Sequence, residues 1–344
     1  MKEEDISSEK AMKQIQKIFK KRGTKALEMA RKEILQEKIE CKEVREALSY
    51  FMNKYWHDLA RPSLLSLASE AVGGDPKLTT SVAVALSLSS GAIDIHDDII
   101  DRSKRKYGRQ TVYGKYGKDL AILIGDALLF KGLTLLQGIV KENFSVEKMS
   151  QIMDIVQKMF FELGDAEALE LPLRGRLDVS PEEYLRIVEK KAADVEAHTR
   201  IGAILGGGST TAIEDFGTYG RLLGMLIILR DDWIDLIDPE ECRQRVRKEC
   251  LPLPLLYAAK DVKAKQKIKA LLRKKRLSLT DANAIWEIAQ THGMNQFQKI
   301  TQNLANGALT KLRRKSYFTS DLGLLLKAIT PTVEVKCSTT TKSL

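Results

Sequence analysis

The sequence predicts an all-α protein, and three observations carry that prediction. The eight prolines, at 62, 76, 172, 181, 239, 252, 254 and 331, leave long clear runs at 77–171, 182–238 and 255–330. Within those runs apolar residues recur every three or four positions, as in Tyr184, Ile187 and Val188 or in Leu222, Met225, Leu226 and Leu229. That is the spacing of a helix face. Strand-like alternation bounded by Asn-Gly or Asp-Gly turns is missing. With 44% hydrophobic and 30% charged residues over 344 positions, the chain can bury a sizeable core. The expected architecture is one all-α domain over residues 1–330, with no linker that would split it. A polar, disordered tail is expected at 331–344.

The first 50 or so residues read as two amphipathic helices, with Gly23 and the 39–41 region as breaks. Residues 53–61 form a joint, and Pro62 suits a first helical turn. The next helix closes at Gly73-Gly74. A helix rich in small residues starts near Leu78 and runs into GAIDIHDDIID, residues 91–101. A basic loop follows over 102–118, then AILIGDALLFKG, which reads as a buried helix interrupted at Asp126. Ser180-Pro181-Glu182-Glu183 is a helix start, with the cap before Pro and acids in the first turn. One helix is expected from there to Gly206, and another from about Thr211 into Asp231.

Composition narrows the class of function. The N-terminal MKEEDISSEKAMKQ is mixed-charge without an apolar core, so no signal peptide is expected. No apolar run reaches the roughly 20 residues of a spanning helix. Cys41, Cys242, Cys250 and Cys337 form no C-x-x-C pair. A cytoplasmic protein is the expectation. The formal charge of +10 suits anionic partners, although the Lys-rich stretch 260–276 reads as a solvated helix face. It lacks aromatic interleaving, and no nucleic acid partner is expected.

The acidic stretch carries the chemistry. Asp94, Asp97, Asp98 and Asp101 share one helix face, where like charges repel, so a cation is expected among them. The pattern recurs in LLGMLIILRDDWIDLID, where Asp231, Asp232 and Asp235 repeat the i, i+1, i+4 spacing after an apolar helix. Carboxylates are the ligands that hard divalent cations prefer, and Mg²⁺ is typically held by one or two of them plus substrate phosphates. Two such clusters can face each other across a helical bundle, and a diphosphate clamped by Mg²⁺ suits them.

Over roughly residues 60–258 the chain resembles the trans-isoprenyl diphosphate synthases, or polyprenyl synthetases, of the class I terpenoid synthase fold. The resemblance rests on both aspartate motifs together with RPSLLSLASEAVGG, GRQTVYGKYG, AILIGDALL, SPEEYLRIVEKKAAD, IGAILGGG, YGRLLGM and LPLLYA, in family order. It implies a bundle of about a dozen helices around a central cavity, and a homodimeric prenyltransferase with three Mg²⁺ held by Asp97, Asp98, Asp101, Asp231, Asp232 and Asp235. These six residues and Lys191 would be catalytic. An allylic prenyl diphosphate would ionise, and its cation would be attacked by isopentenyl diphosphate. A peripheral membrane contact for releasing the product is a further expectation.

The departures from the family are grouped. Where members carry G-G-K-x-x-R-P, this chain has Trp56 to Pro62, so Arg61 is kept and Asp58 stands in place of Lys. Arg-Arg-Gly becomes Lys106-Tyr107-Gly108, with Arg105 or Arg109 as compensating cations. Lys-Thr becomes Lys191-Ala192, a Gln becomes Ile228, and the Gly-Lys elements give way to Arg243, Arg245, Arg247 and Lys248. Arg61, Arg105, Lys106, Arg109, Arg245 and Lys248 are the expected phosphate-binding residues. Ala92, Ile93 and Ser89 would line the chain-length floor, which the small Ala92 and Ser89 leave open to products of C20 or longer. Three readings stay open: elongation with isopentenyl diphosphate, another acceptor or cyclisation, and a non-catalytic subunit. Asp94 is expected to pair with a basic residue of the 102–118 loop. His96 and Asp126 are expected to brace helices, His57 and His198 to be structural, and Asp238 to lie outside the ligand set.

Overall fold

In the computed structural model the fold is all-α, and the structure describes residues 8–106, 108–143, 145–313 and 319–331. Tyr107 and the expected tail from 332 onward lie outside the described residues. The helices begin with α1 (Ser8–Leu35), α2 (Lys42–Tyr50), α3 (Ala60–Ala71) and α4 (Thr79–Ile100). Two short strands, β1 (Arg105–Lys106) and β2 (Arg109–Gln110), precede α5 (Val112–Tyr116), α6 (Lys118–Asn143) and α7 (Val146–Glu170). Then come α8 (Pro181–Lys191), α9 (Ala193–Leu205), α10 (Thr210–Ile237), α11 (Pro239–Lys248) and α12 (Leu253–Ala258). The last are α13 (Val262–Leu272), α14 (Leu279–His292), α15 (Met294–Arg313) and α16 (Ser320–Ile329).

The backbone folds into two compact units. The α4 unit takes in residues 16–155 and 198–213, and the α10 unit takes in 8–15, 156–197 and 214–331 of the described chain.

In the α4 unit, Leu64, Leu65 and Leu67 of α3, Val82, Leu86, Leu88 and Ile95 of α4, and Ile124 and Leu128 of α6 are buried. Small residues bring α4 and α6 together. A Cβ added to Gly132 would lie 2.4 Å from Ser89 Oγ and 2.7 Å from the Ala85 carbonyl, and one on Gly125 would lie 2.4 Å from His96 Nε2. The residues 76–100 satisfy the length and hydropathy of a membrane span, contrary to the sequence expectation, but 72% of that window is buried. A core helix meets the same criteria. Conversely, α6 is not buried all round, since Leu123 and Phe130 are exposed.

Gly23 does not break α1. It permits close approach, because a Cβ there would lie 2.7 Å from the Leu59 carbonyl oxygen. The basic loop contains more order than expected: β1 and β2 pair antiparallel, Lys106 opposite Arg109, around Gly108 at φ +74°. Tyr50 donates to the Gln110 carbonyl at 2.6 Å, and Arg109 to that of Lys54 at 3.0 Å, which docks this hairpin on the end of α2 and the turn after it.

In the α10 unit, Tyr184, Ile187 and Val188 of α8 pack with Leu229, Trp233 and Leu236 of α10 and with Cys242 and Val246 of α11. Leu255, Ile268, Ile285 and Phe297 extend that core through α12 to α15. The Ser180 hydroxyl caps α8 through the Glu183 amide, as the sequence predicts. The helix expected to run on to Gly206 is instead two, α8 and α9, separated at Ala192. On α13 the Ala264 and Ile268 side chains point inward and the lysines face solvent, the solvated face read from the sequence.

Candidate functional site

The first acidic cluster stands at the C-terminal end of α4, in the α4 unit. Asp97 is half-buried, while Asp98 and Asp101 are only 2% and 8% exposed. Helix carbonyls are unsatisfied at such an end, and their partial negative charge adds to the carboxylates. A cation does sit here, and the chain supplies it: Lys106 Nζ lies 2.8 Å from Asp97 Oδ2 and 3.0 Å from Asp98 Oδ1. Burial pushes the Asp98 carboxyl up to about 7, even with Lys106 opposing the shift.

One turn back, Asp94 accepts from Trp56 Nε1 at 2.8 Å and pairs with Arg61 at 3.2 Å. Its pairing therefore reaches the segment before α4, where the sequence pointed to the loop after it. Arg61 also meets Asp58 Oδ2 at 2.8 Å. The other Asp58 oxygen accepts from the Ala60 amide at 2.8 Å and the Arg61 amide at 3.3 Å, satisfying orphan donors at the start of α3. Arg61, expected to hold phosphate, is thus engaged by two carboxylates.

The remaining expected residues of this unit divide by what they touch. Arg105 and Arg109 are exposed and donate to the carbonyls of Gly108 and Lys54. Ala92 is buried, Ile93 is half-buried, and Ser89 is packed against Gly132 with its hydroxyl donating to the Ala85 carbonyl. His96 Nε2 lies 3.2 Å from Asp126 Oδ1, the helix-bracing role read for both. Arg31 donates to His57 Nδ1 at 3.1 Å, and His198 is buried.

The second cluster lies near the end of α10, in the α10 unit. Asp232 is 2% exposed, with both oxygens occupied: Tyr184 donates its hydroxyl to Oδ2 at 2.7 Å and Arg245 Nη2 meets Oδ1 at 2.5 Å. Arg245 also donates to the Tyr184 hydroxyl at 3.1 Å and pairs with Glu249. Burial first, and Asp232 second, drive the Tyr184 hydroxyl well above the ordinary phenol range, so it stays a donor. Asp231 is exposed and Asp235 half-buried. Asp238 accepts from the Glu240 and Glu241 amides and caps α11.

Lys191 sits between Glu167 at 2.7 Å and Glu170 at 2.6 Å. Burial alone would raise the Glu170 carboxyl, but Lys191, then Arg245, outweigh it and hold it below its usual range. Beside Lys191, Ala192 is fully buried against Gly224 of α10, and Ile228 packs on the unit's core. The positions where relatives carry Thr and Gln are given over to apolar packing here. Lys248 meets Gln244 Oε1 at 3.2 Å.

Sequence reasoning missed Tyr184, which orients Asp232, and the carboxylates Glu167 and Glu170 around Lys191. The SPEEY start placed Tyr184 on an apolar face, and only the fold of α11 reveals its hydroxyl partner.

Both clusters offer oxygen donors only, the set that suits a hard divalent cation. The Lys106 ammonium stands in for such an ion on Asp97 and Asp98. The half-buried Asp97 and Asp235, the buried Asp101 and the exposed Asp231 are carboxylates of the kind that fits Mg²⁺.

The polyprenyl synthetase family model matches residues 41–289. The chain belongs to the polyprenyl synthetase family. A short chain isoprenyl diphosphate synthase of Methanothermobacter thermautotrophicus is 37% identical over 182 residues, 53% of this chain and 55% of the relative. A geranylgeranyl diphosphate synthase of Methanosarcina mazei is 38% identical over 188 residues, 54% of this chain and 57% of the relative. A geranylgeranyl diphosphate synthase of Sulfolobus acidocaldarius is 27% identical over 268 residues, 74% and 81% of the two chains. The chain of this polyprenyl synthetase family member spans about half the length of the first two curated relatives. Its fold is that of geranylgeranyl pyrophosphate synthetase from Pyrococcus horikoshii, with TM-score 0.79 and 24% identity, covering 93% of this chain and 99% of that one.

Proposed function

We propose that this polyprenyl synthetase family member is a Mg²⁺-dependent prenyltransferase, its two units working as one isoprenoid synthase domain. It would ionise an allylic prenyl diphosphate and join it to isopentenyl diphosphate. The observation that carries this reading is that each acidic cluster closes an apolar helix and already binds a cation of the chain's own. That both clusters serve one diphosphate is what the family resemblance implies.

Asp97, Asp98, Asp101, Asp231 and Asp235 are the proposed metal-holding residues, for up to three ions, and Asp232, whose oxygens Tyr184 and Arg245 occupy, would join them only on losing one of those partners. Bound Mg²⁺ would supply positive charge to the leaving pyrophosphate. Lys106 and Lys191 would add positive charge beside the carboxylates they pair with. In the reaction the C1–O bond of the allylic diphosphate breaks and its electron pair leaves with pyrophosphate. The double bond of isopentenyl diphosphate then forms a bond to C1, and a proton passes to pyrophosphate. The small Ala92 at the chain-length position supports a product of C20 or longer. The exposed Leu123 and Phe130 on α6 support the homodimer, and the free thiols of Cys41, Cys242 and Cys250 suit the cytoplasm.

The test is incubation with labelled farnesyl or geranylgeranyl diphosphate, Mg²⁺, and isopentenyl diphosphate or none. Elongated diphosphates support the reading, and their absence overturns it. A second reading, a different acceptor or cyclisation, is favoured by the pairing of Arg61 with both Asp58 and Asp94. Those two carboxylates leave the trio with a net negative charge. Hydrocarbon or alcohol released without isopentenyl diphosphate would support that reading.

A further inference from the structure

Resting on the metal-binding reading above, we propose that Lys106 is a resident competitor for metal at the first acidic cluster. Its ammonium and a divalent ion take the same carboxylate oxygens in turn, so metal loading releases Lys106.

Lys106 Nζ lies 2.8 Å from Asp97 Oδ2 and 3.0 Å from Asp98 Oδ1, a bridge across two adjacent carboxylates. Mg²⁺ binds oxygen at about 2.0–2.1 Å and demands near-octahedral geometry. It cannot share those lone pairs with an ammonium at hydrogen-bond distance. Two cations so close would also repel across a partly buried site. One must leave.

The two clusters differ in whether their own cation can do so. Arg245 at the second cluster is 10% exposed and bonded to Asp232, Tyr184 and Glu249, from an α11 anchored by buried Cys242 and Val246. Its planar guanidinium is fixed by those partners. Lys106 is 30% exposed and sits on strands that pair over only two residue couples. Its four-carbon stem carries the charge on rotatable bonds. The hairpin can keep its contacts to Tyr50 and Lys54 while the lysine swings away. The first cluster is therefore the exchangeable one. Before metal arrives, Lys106 offsets the repulsion among Asp97, Asp98 and Asp101. Afterwards its three donors are released beside newly bound positive charge, where an anion is the natural next partner.

The test is isothermal titration of the full, chelator-stripped chain with MgCl₂ alone, repeated with inorganic pyrophosphate. Wild type, Lys106→Gln, Lys106→Arg and Asp97→Ala are compared. Lys106→Gln should bind Mg²⁺ on the order of tenfold more tightly than wild type, while Lys106→Arg, which keeps the competing charge, should not. Lys106→Gln should also melt lower than wild type in chelator and recover in Mg²⁺. Equal Mg²⁺ affinity in wild type and Lys106→Gln overturns the proposal and leaves the metal clamp standing. Mg²⁺ binding absent from every form, with and without pyrophosphate, overturns the clamp itself. Should Lys106→Gln fail to fold, Lys106→Met, which keeps the apolar stem and loses the charge, takes its place: Mg²⁺ binding on the order of tenfold tighter than wild type supports competition, and unchanged binding overturns it.

Discussion

Asp58 Oδ2 lies 2.8 Å from Arg61 Nη1, one helical turn away, and the pair joins the start of α3 to Asp94 of α4. A residue that looks repulsive to a second diphosphate is therefore a cap and a counter-ion. Asp58→Asn keeps an acceptor for the Ala60 amide while removing the charge. If isopentenyl diphosphate is the acceptor, its KM should fall several-fold in this variant, with kcat little changed. Steady-state kinetics at saturating allylic substrate measure it, and an unchanged or higher KM argues for another acceptor.

Asp97→Ala and Asp231→Ala should each abolish Mg²⁺-dependent pyrophosphate release. Each removes an accessible carboxylate oxygen without touching the buried Asp98 or Asp232. A coupled pyrophosphate assay reads the outcome directly, and release at the wild-type rate in either variant would sink the two-cluster clamp.

Tyr184→Phe deletes the hydroxyl that donates to Asp232 and accepts from Arg245. A buried carboxylate oxygen then loses a donor, a loss of about 1–3 kcal/mol. Denaturant unfolding should show that loss, and turnover should fall as Asp232 loses its fixed orientation. Wild-type stability would mean that Arg245 alone holds the aspartate.

Asp281 closes a capping box with Ser278 at the start of α14. Hydrogen bonds from Lys274, and then from the Ser278 amide, lower its carboxyl to about 2. A depressed acid contributes stability that is fully present above its unfolded value, near 3.8, and is lost as pH falls toward 2. Asp281→Asn should thus be less stable than wild type at pH 7, and the gap should narrow by pH 3. Urea melts at both values check it, and a gap that widens in acid contradicts it.

The helices were legible because their apolar faces repeat at three and four and their starts carry cap residues, as at Ser180. Ala192 was not legible as a break, since alanine favours continuation and only the packing of Gly224 against it marks the turn. Gly23 misled in the opposite direction, because a glycine needed for close approach looks like one needed to end a helix. Both aspartate clusters were plain from spacing alone. The partners of Asp232 were not, because Arg245 reaches it only after α11 folds back, and a sequence shows an arginine as a free cation until its neighbours in space are known.

The seam between α4 and α6 has a mechanical consequence. Ser89, Gly132, Gly125 and His96 leave the two helices no slack, so α4 behaves as a beam clamped along its length with its carboxylates at the tip. One methyl group added at Gly132 would collide with Ser89 and the Ala85 backbone, and the displaced beam would carry Asp97 with it. Variants inactivated by leverage should therefore map to the α6 face of that seam and leave every carboxylate intact.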